Sequence, residues 1–201
     1  GSRREGQMIT LVKAQVWKYK SIEDSTPVAL SNAVTVLVGK NESGKTAFLE
    51  ALHKALPLES ASFDCVADYP RKDFVRYRSQ HAAGNFQKVV QLTFRIELEL
   101  AKKINKEVFN GTEIIAEGTL FTRDTTYGNK SLIGLHIDQP KALEVLKKTL
   151  DGLEFVDEVF GGAKTLDEIV ARIEAKELAV DSKLAVFAKQ WRDRALQANS
   201  G

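Results

Sequence analysis

Eight residues, Gly39-Lys40-Asn41-Glu42-Ser43-Gly44-Lys45-Thr46, constrain this chain more than any other stretch. Gly39 and Gly44 lack a Cβ, so the backbone can curl until successive amides from Asn41 to Thr46 converge on one point. The loop follows an apolar run, Val34 to Val38, suited to a buried central strand. It opens a helical run, Lys45 to Leu56, in which Leu49, Leu52 and Leu56 make an apolar stripe expected to pack on the sheet before Pro57 ends it. Strand, glycine-bearing loop and helix N-terminus, in that order, make a cradle for a phosphate chain. Lys45 would reach the β- and γ-phosphates as a point charge, and the Thr46 hydroxyl would ligate Mg²⁺. The expected ligand is a nucleoside triphosphate, ATP, with Mg²⁺. The expected contacts are Gly39, Asn41, Glu42, Ser43, Gly44, Lys45 and Thr46, with Lys45 also the catalytic group.

The bulk of the chain sets the context. A length of 201 residues, 43% apolar and 28% charged, allows one globular domain with its own core. Gly1 to Gln7 are polar, precede Met8 and read as a tag remnant. No run approaches the roughly 18 apolar residues of a membrane span, and no signal peptide is read, so a cytoplasmic location is expected. The single cysteine, Cys65, reads as a half-buried thiol, and no Cys/His cluster has metal-ligand spacing. A net charge of +2 is too small to argue for nucleic acid on global electrostatics.

Along the chain, Ile9 to Ile22 reads as a long strand with one wet face, Glu23 to Pro27 as a turn, and Val28 to Leu30 as further strand. Residues 58 to 88 read as irregular. Val90, Leu92, Phe94, Ile96 and Leu98 alternate with polar residues in the clearest amphipathic strand, and a short charged segment follows around Lys102 to Asn110. Strands at Thr119 to Arg123 and Ser131 to Ile137 flank a hairpin turn, Tyr127-Gly128-Asn129. Pro140 opens a helix to about Leu150, and Thr165 with Glu168 forms a capping box. Leu166, Val170, Ile173, Val180, Leu184, Phe187 and Trp191 recur at heptad spacing, broken by Glu177 and Asp181-Ser182. That seam fits either helices packed on the domain or a projecting arm. The expected fold is α/β, a mixed sheet with an antiparallel subsheet and a helical C-terminal region: residues 8–140 a P-loop lobe, residues 141–201 a helical segment.

Val34 to Leu52, VTVLVGKNESGKTAFLEAL, resembles the amino-terminal lobe of ABC-type ATPases related to the chromosome-maintenance and double-strand-break-repair proteins. The wording of the loop and Asp68-Tyr69-Pro70-Arg71-Lys72 look most like the overcoming-lysogenization-defect (OLD) family of ATP-dependent nucleases. Trp17-Lys18-Tyr19-Lys20-Ser21-Ile22 is similar to a strand end in those ATPases whose basic residue lies near nucleotide. The resemblance therefore implies Lys20 as a second nucleotide contact; read alone, Lys20 is also an ordinary exposed strand lysine. It implies Gln139 as the glutamine that follows the antiparallel strands, against an ordinary turn residue. It further implies an ATPase that pairs two subunits, through the nucleotide face around ATP or through a helical arm, and regulates DNA processing or repair, with DNA as a partner.

ABC-type hydrolysis needs a Walker B strand ending in Asp-Glu and a signature loop. Phe155-Val156-Asp157-Glu158 carries the carboxylates, but Glu154 charges the run and it reads as an amphipathic helix; Leu178-Ala179-Val180-Asp181 and Leu132 to Asp138 are no better. Phe160-Gly161-Gly162-Ala163-Lys164 only distantly resembles a signature. The expectation is an amino-terminal lobe cut within or near a helical arm, by design or by proteolysis, that binds ATP and hydrolyses little alone. The alternative is a nucleotide-gated interaction module, or a phage-defence ATPase without nuclease activity. A regulatory GTPase would need an Asn/Thr-Lys-x-Asp motif, and Asn129-Lys130-Ser131-Leu132 lacks the aspartate. A small-molecule kinase would need an Arg-rich lid. Tyr69 to Arg78 interleaves Arg71, Lys72, Arg76 and Arg78 with aromatics, fitting a nucleic-acid backbone, a loop over the nucleotide, or a solvated surface. His53, His81 and His136 are scattered along the sequence and read as structural or surface residues.

Overall fold

The structure, a computed structural model, describes residues 6–30, 42–56 and 62–198, with the backbone alone for Glu42, Ser43 and 194–198. The predicted strand Val34 to Val38 and the loop residues Gly39 to Asn41 lie outside the described residues. The chain divides into two compact units, one of Leu11–Phe94 and Phe121–Gly134, the other of Gly1–Thr10, Arg95–Leu120 and Leu135–Gly201.

Strand β1 (Ile9–Tyr19) runs into the first of these units and buries Ala14 and Val16 by simple alternation. Lys18 would come next on the inward face. It takes φ 49° instead, and the inward place passes to Tyr19, which is 0% exposed. β2 (Ile22–Asp24) folds straight back, antiparallel, with Tyr19 opposite Ile22 and Trp17 opposite Asp24. The turn is thus at Lys20-Ser21, with Lys20 at φ 50°, and not at Glu23 to Pro27 as the composition predicts. The Lys20 amide is held there by the Asp68 carbonyl at 2.5 Å. β3 (Val28–Ala29) pairs antiparallel with β1.

Helix α1 (Glu42–Ala55) follows. Its buried face is Ala47, Phe48, Ala51 and Ala55, while Leu49 is 55% and Leu56 37% exposed. Leu52 of the predicted leucine stripe does pack on the core, but Leu49 and Leu56 turn outward, and Phe48, Ala51 and Ala55 take the inward positions. Phe48, Ala51 and Ala55 carry the same helical period, and alanines let the helix approach its neighbours more closely than leucines would.

Residues 58 to 88, expected to be irregular, contain α2 (Cys65–Asp68) and α3 (Arg71–Ala82). Asp64 caps α2, its carboxylate accepting from the Val66 amide at 2.7 Å and the Ala67 amide at 3.2 Å. α3 has almost no apolar period for a sequence to display. It is pinned by Tyr77, whose ring stacks on Tyr69 at 4.1 Å and whose hydroxyl accepts from the Gln87 amide at 2.9 Å.

Strands β4 (Lys88–Ile96), β5 (Leu120–Thr126) and β6 (Ser131–His136) complete the sheet, in the order β2-β1-β4-β5-β6 with β3 also on β1. The Ile96 and Thr119 backbones pair at one end of β4 and Tyr127 N donates to Gln87 O at the other, so β4 and β5 are antiparallel. The predicted turn Tyr127-Gly128-Asn129 joins β5 to β6, with Asn129 at φ 56°. Gly128 is required there, since a Cβ would lie 2.4 Å from the Phe86 ring.

The second unit is helical. α4 (Leu98–Val108) replaces the expected charged segment, turning its lysines outward and burying Ala101 and Asn105. The Asn105 amide holds the Ile115 backbone in both directions, at 2.8 and 2.9 Å. α5 (Gln139–Thr149) starts at Asp138 and Pro140, close to expectation. α6 (Val156–Phe160) is the short helix read at Phe155 to Glu158. α7 (Leu166–Ala175) begins with the predicted cap: Thr165 Oγ1 accepts from Glu168 N at 3.2 Å, while the Glu168 carboxylate accepts from Lys164 N at 2.9 Å. α8 (Lys183–Ala198) follows a break that leaves Val180 83% exposed. The heptad seam folds on itself: Leu166, Val170 and Ile173 of α7 and Leu184, Phe187 and Trp191 of α8 are all buried, and Trp191 Nε1 donates to Asp167 at 2.7 Å.

Candidate nucleotide-binding site

Of the predicted loop residues, Glu42 to Thr46 form the first turn of α1, with Gly44 and Lys45 half-buried and Thr46 exposed. Gly39 and Asn41 lie outside the described residues. Four amides at a helix start have no intrahelical acceptor, so this turn presents donors and the positive end of the helix dipole together. Thr46 is exposed at that turn, and a single hydroxyl beside phosphate oxygens is the sparse kind of donor set Mg²⁺ accepts. Among the described residues no group of three or more His, Cys, Asp and Glu could hold a metal ion.

Glu50 stands one turn after Thr46, four residues on and therefore on the same helix face. Its carboxylate receives the Lys20 ammonium at 2.5 Å and the Tyr19 hydroxyl at 3.3 Å. The fold thus brings Lys20, from the β1–β2 turn, to the face of α1 that carries Thr46. The Lys20 hydrogen bond lowers the Glu50 pKa against the opposing cost of burial. One turn further, Lys54 pairs with Asp68 at 2.9 Å. The two ammonium groups lie 5.4 and 5.5 Å from the Tyr19 ring centroid, within cation–π range. Burial, then the Asp68 and Glu50 charges, push the Tyr19 pKa up, keeping its hydroxyl a donor. Sequence reading missed Glu50, Tyr19, Lys54 and Asp68; only the spacing from Thr46 to Glu50 could have flagged the first.

The other candidates are occupied by structural contacts. Gln139 Oε1 accepts from Leu166 N at 2.8 Å, at the start of α7. Glu158 pairs with Lys176 on the exposed side of α6, and Leu178 to Asp181 lie in the break before α8, so neither the Asp157-Glu158 pair nor Asp181 ends a strand. The signature-like Phe160-Gly161 is a helix end, where Arg172 donates to the Gly161 carbonyl at 2.7 Å and to the Val159 carbonyl at 2.9 Å. Asn129 uses its amide on the Phe63 backbone at 2.8 and 3.1 Å, not on a base. In the basic segment, Lys72 pairs with Glu23 at 2.9 Å and Arg76 with Asp73 at 3.3 Å, while Tyr69 and Tyr77 are buried, which removes them as base-stacking platforms. Cys65 is half-buried. His81 is not isolated, since its ring packs on Phe86 at 5.0 Å and its Nδ1 faces the Tyr77 hydroxyl at 3.3 Å.

An α/β sheet with a helix opening on Gly44-Lys45-Thr46 defines the class of P-loop nucleotide-binding proteins. Residues 11–189 match the family described as the AAA ATPase domain, and the chain belongs to that family of ATP-binding P-loop ATPases. Neither the curated proteins nor the solved structures returned a match. Among the described residues no helix is long and apolar enough to cross a membrane.

Proposed function

We propose that Gly39 to Thr46 binds ATP, with Lys45 on the β- and γ-phosphates, Thr46 as the protein's ligand to Mg²⁺, and Lys20 as a second cation at the site. The observation that carries this is the helix α1 with Gly44, Lys45 and Thr46 in its opening turns, within a chain that matches the AAA ATPase domain; the Lys20–Glu50 pair, one helical turn after Thr46, supports the part given to Lys20. Bound Mg²⁺ would neutralise charge on the terminal phosphates, and Lys45 would share that task.

ATP in this account regulates work on DNA in the cytoplasm, in the manner of the OLD-family nucleases, with residues 8–140 as the ATPase lobe and 141–201 as a helical segment. A second copy of the chain pairs with the first across the nucleotide face. The resemblance of residues 34–52 supports this part. The interaction-module alternative is weakened by one feature: α7 and α8 bury their heptad residues against each other, so a partner must use their outer faces.

Titration with a fluorescent ATP analogue tests the assignment. Saturable binding in Mg²⁺ is expected, lost in Lys45→Ala, weakened in Thr46→Ala and by EDTA, and displaced by ATP but not GTP. Binding unchanged in Lys45→Ala overturns it.

A further inference from the structure

We infer that Glu50 is a positioning residue for nucleotide binding, acting through Lys20. This rests on the reading above that the α1 N-terminus holds ATP.

Lys20 is held at both its backbone and its side-chain tip. It sits at the tip of a two-residue turn in the left-handed region, at φ 50°, where a β-unbranched lysine is strained and a glycine would be easier. Its amide is tied to the Asp68 carbonyl and its ammonium to Glu50, both at 2.5 Å, so the backbone and the tip of this long side chain are each anchored. Glu50 is itself oriented from below by the Tyr19 hydroxyl, and Tyr19 is 0% exposed. The carboxylate is 43% exposed and is therefore no core ion pair whose loss would unfold the unit. What it does is hold a lysine that would otherwise sample many rotamers on the Thr46 face of α1. Pre-ordering a cation removes part of the entropy cost of engaging phosphate. Neutral Glu50 would leave the Lys20 ammonium unanchored, and the deficit should grow with the charge of the phosphate chain it meets.

A double-mutant cycle tests this with the non-hydrolysable analogue AMP-PNP and with ADP, each with Mg²⁺, on the wild type, Lys20→Met, Glu50→Gln and the pair, with Lys45→Ala as the reference for the site itself. Glu50→Gln is expected to weaken AMP-PNP binding about 3- to 10-fold, with a smaller effect on ADP, while the ligand-free melting temperature barely moves. In the Lys20→Met background the same substitution should add nothing, and Lys20→Arg should retain most of the affinity. Equal losses in both backgrounds, or no loss in Glu50→Gln, overturn the inference while leaving ATP binding at Lys45 intact. Wild-type protein that binds no nucleotide overturns the underlying reading, and this inference with it.

Discussion

The Asp68 carboxylate, with its side chain 4% exposed, meets the Lys54 ammonium of α1 at 2.9 Å, and the same oxygen accepts from the Asp64 amide at 3.0 Å. This pair ties the helix behind the phosphate loop to α2, whose last carbonyl holds the Lys20 turn.

Removing Asp68 strands a partly buried ammonium and a backbone donor. Asp68→Ala should cost about 2 to 4 kcal/mol in urea denaturation. A loss under about 1 kcal/mol would mean that the pair behaves as a solvated surface contact.

All 4 tyrosines of the chain lie in one unit. Burial raises each of them, Tyr19, Tyr69, Tyr77 and Tyr127, above the ordinary value of 10.0, and Tyr127 donates its hydroxyl to the Lys18 carbonyl. The folded state then keeps protons that the unfolded chain sheds, so this contribution to stability is complete below pH 10 and falls as pH rises above it. Tyrosinate absorbance should stay flat past pH 10 and rise together with loss of far-ultraviolet circular dichroism. Tyrosines that ionise near 10 in the folded protein would contradict the packing.

Glu23 behaves in the opposite sense. Hydrogen bonds from Lys18 and then Lys72 lower its pKa from 4.5 to about 2, so its contribution is present above about 4.5 and lost as pH falls toward 2. The side chain is 41% exposed, and solvent screening limits the effect at neutral pH to under about 1 kcal/mol. Glu23→Gln should flatten the stability profile between pH 4.5 and 2 and leave the alkaline limb unchanged.

Thr165→Ala removes the acceptor for Glu168 N and should cost about 1 kcal/mol by chemical denaturation, with Thr165→Ser recovering most of it.

These contacts also mark what the amino-acid sequence displays and what it hides. The loop and the helix after it, the Tyr127 to Asn129 hairpin and the Thr165 cap are local patterns, each written within a few neighbouring residues. α3 is different: Arg71 to Ala82 carries too few apolar residues to show a period, and it is a helix because Tyr77 stacks on Tyr69. α4 hides in the same way behind Lys102, Lys103 and Lys106, its inward face being Ala101 and Asn105. On α1 the leucine pattern locates Leu52 on the inward face but not Leu49 or Leu56, because contact with the rest of the unit selects Phe48, Ala51 and Ala55. Within the candidate site, Lys45 and Thr46 are readable from the loop alone. Glu50 is not, because its partner is 30 residues away and meets it only through the fold.

The central claim is that the α1 N-terminus holds ATP through Lys45. Thermal denaturation of the wild type and of Lys45→Ala, with Mg²⁺ and either ATP, GTP or no nucleotide, tests it most directly. At a hundred times its dissociation constant ATP should add roughly 2.7 kcal/mol, raising the wild-type midpoint by about 5 to 10 °C, with no shift in Lys45→Ala. An equal shift in Lys45→Ala, or stabilisation by GTP alone, would contradict the account.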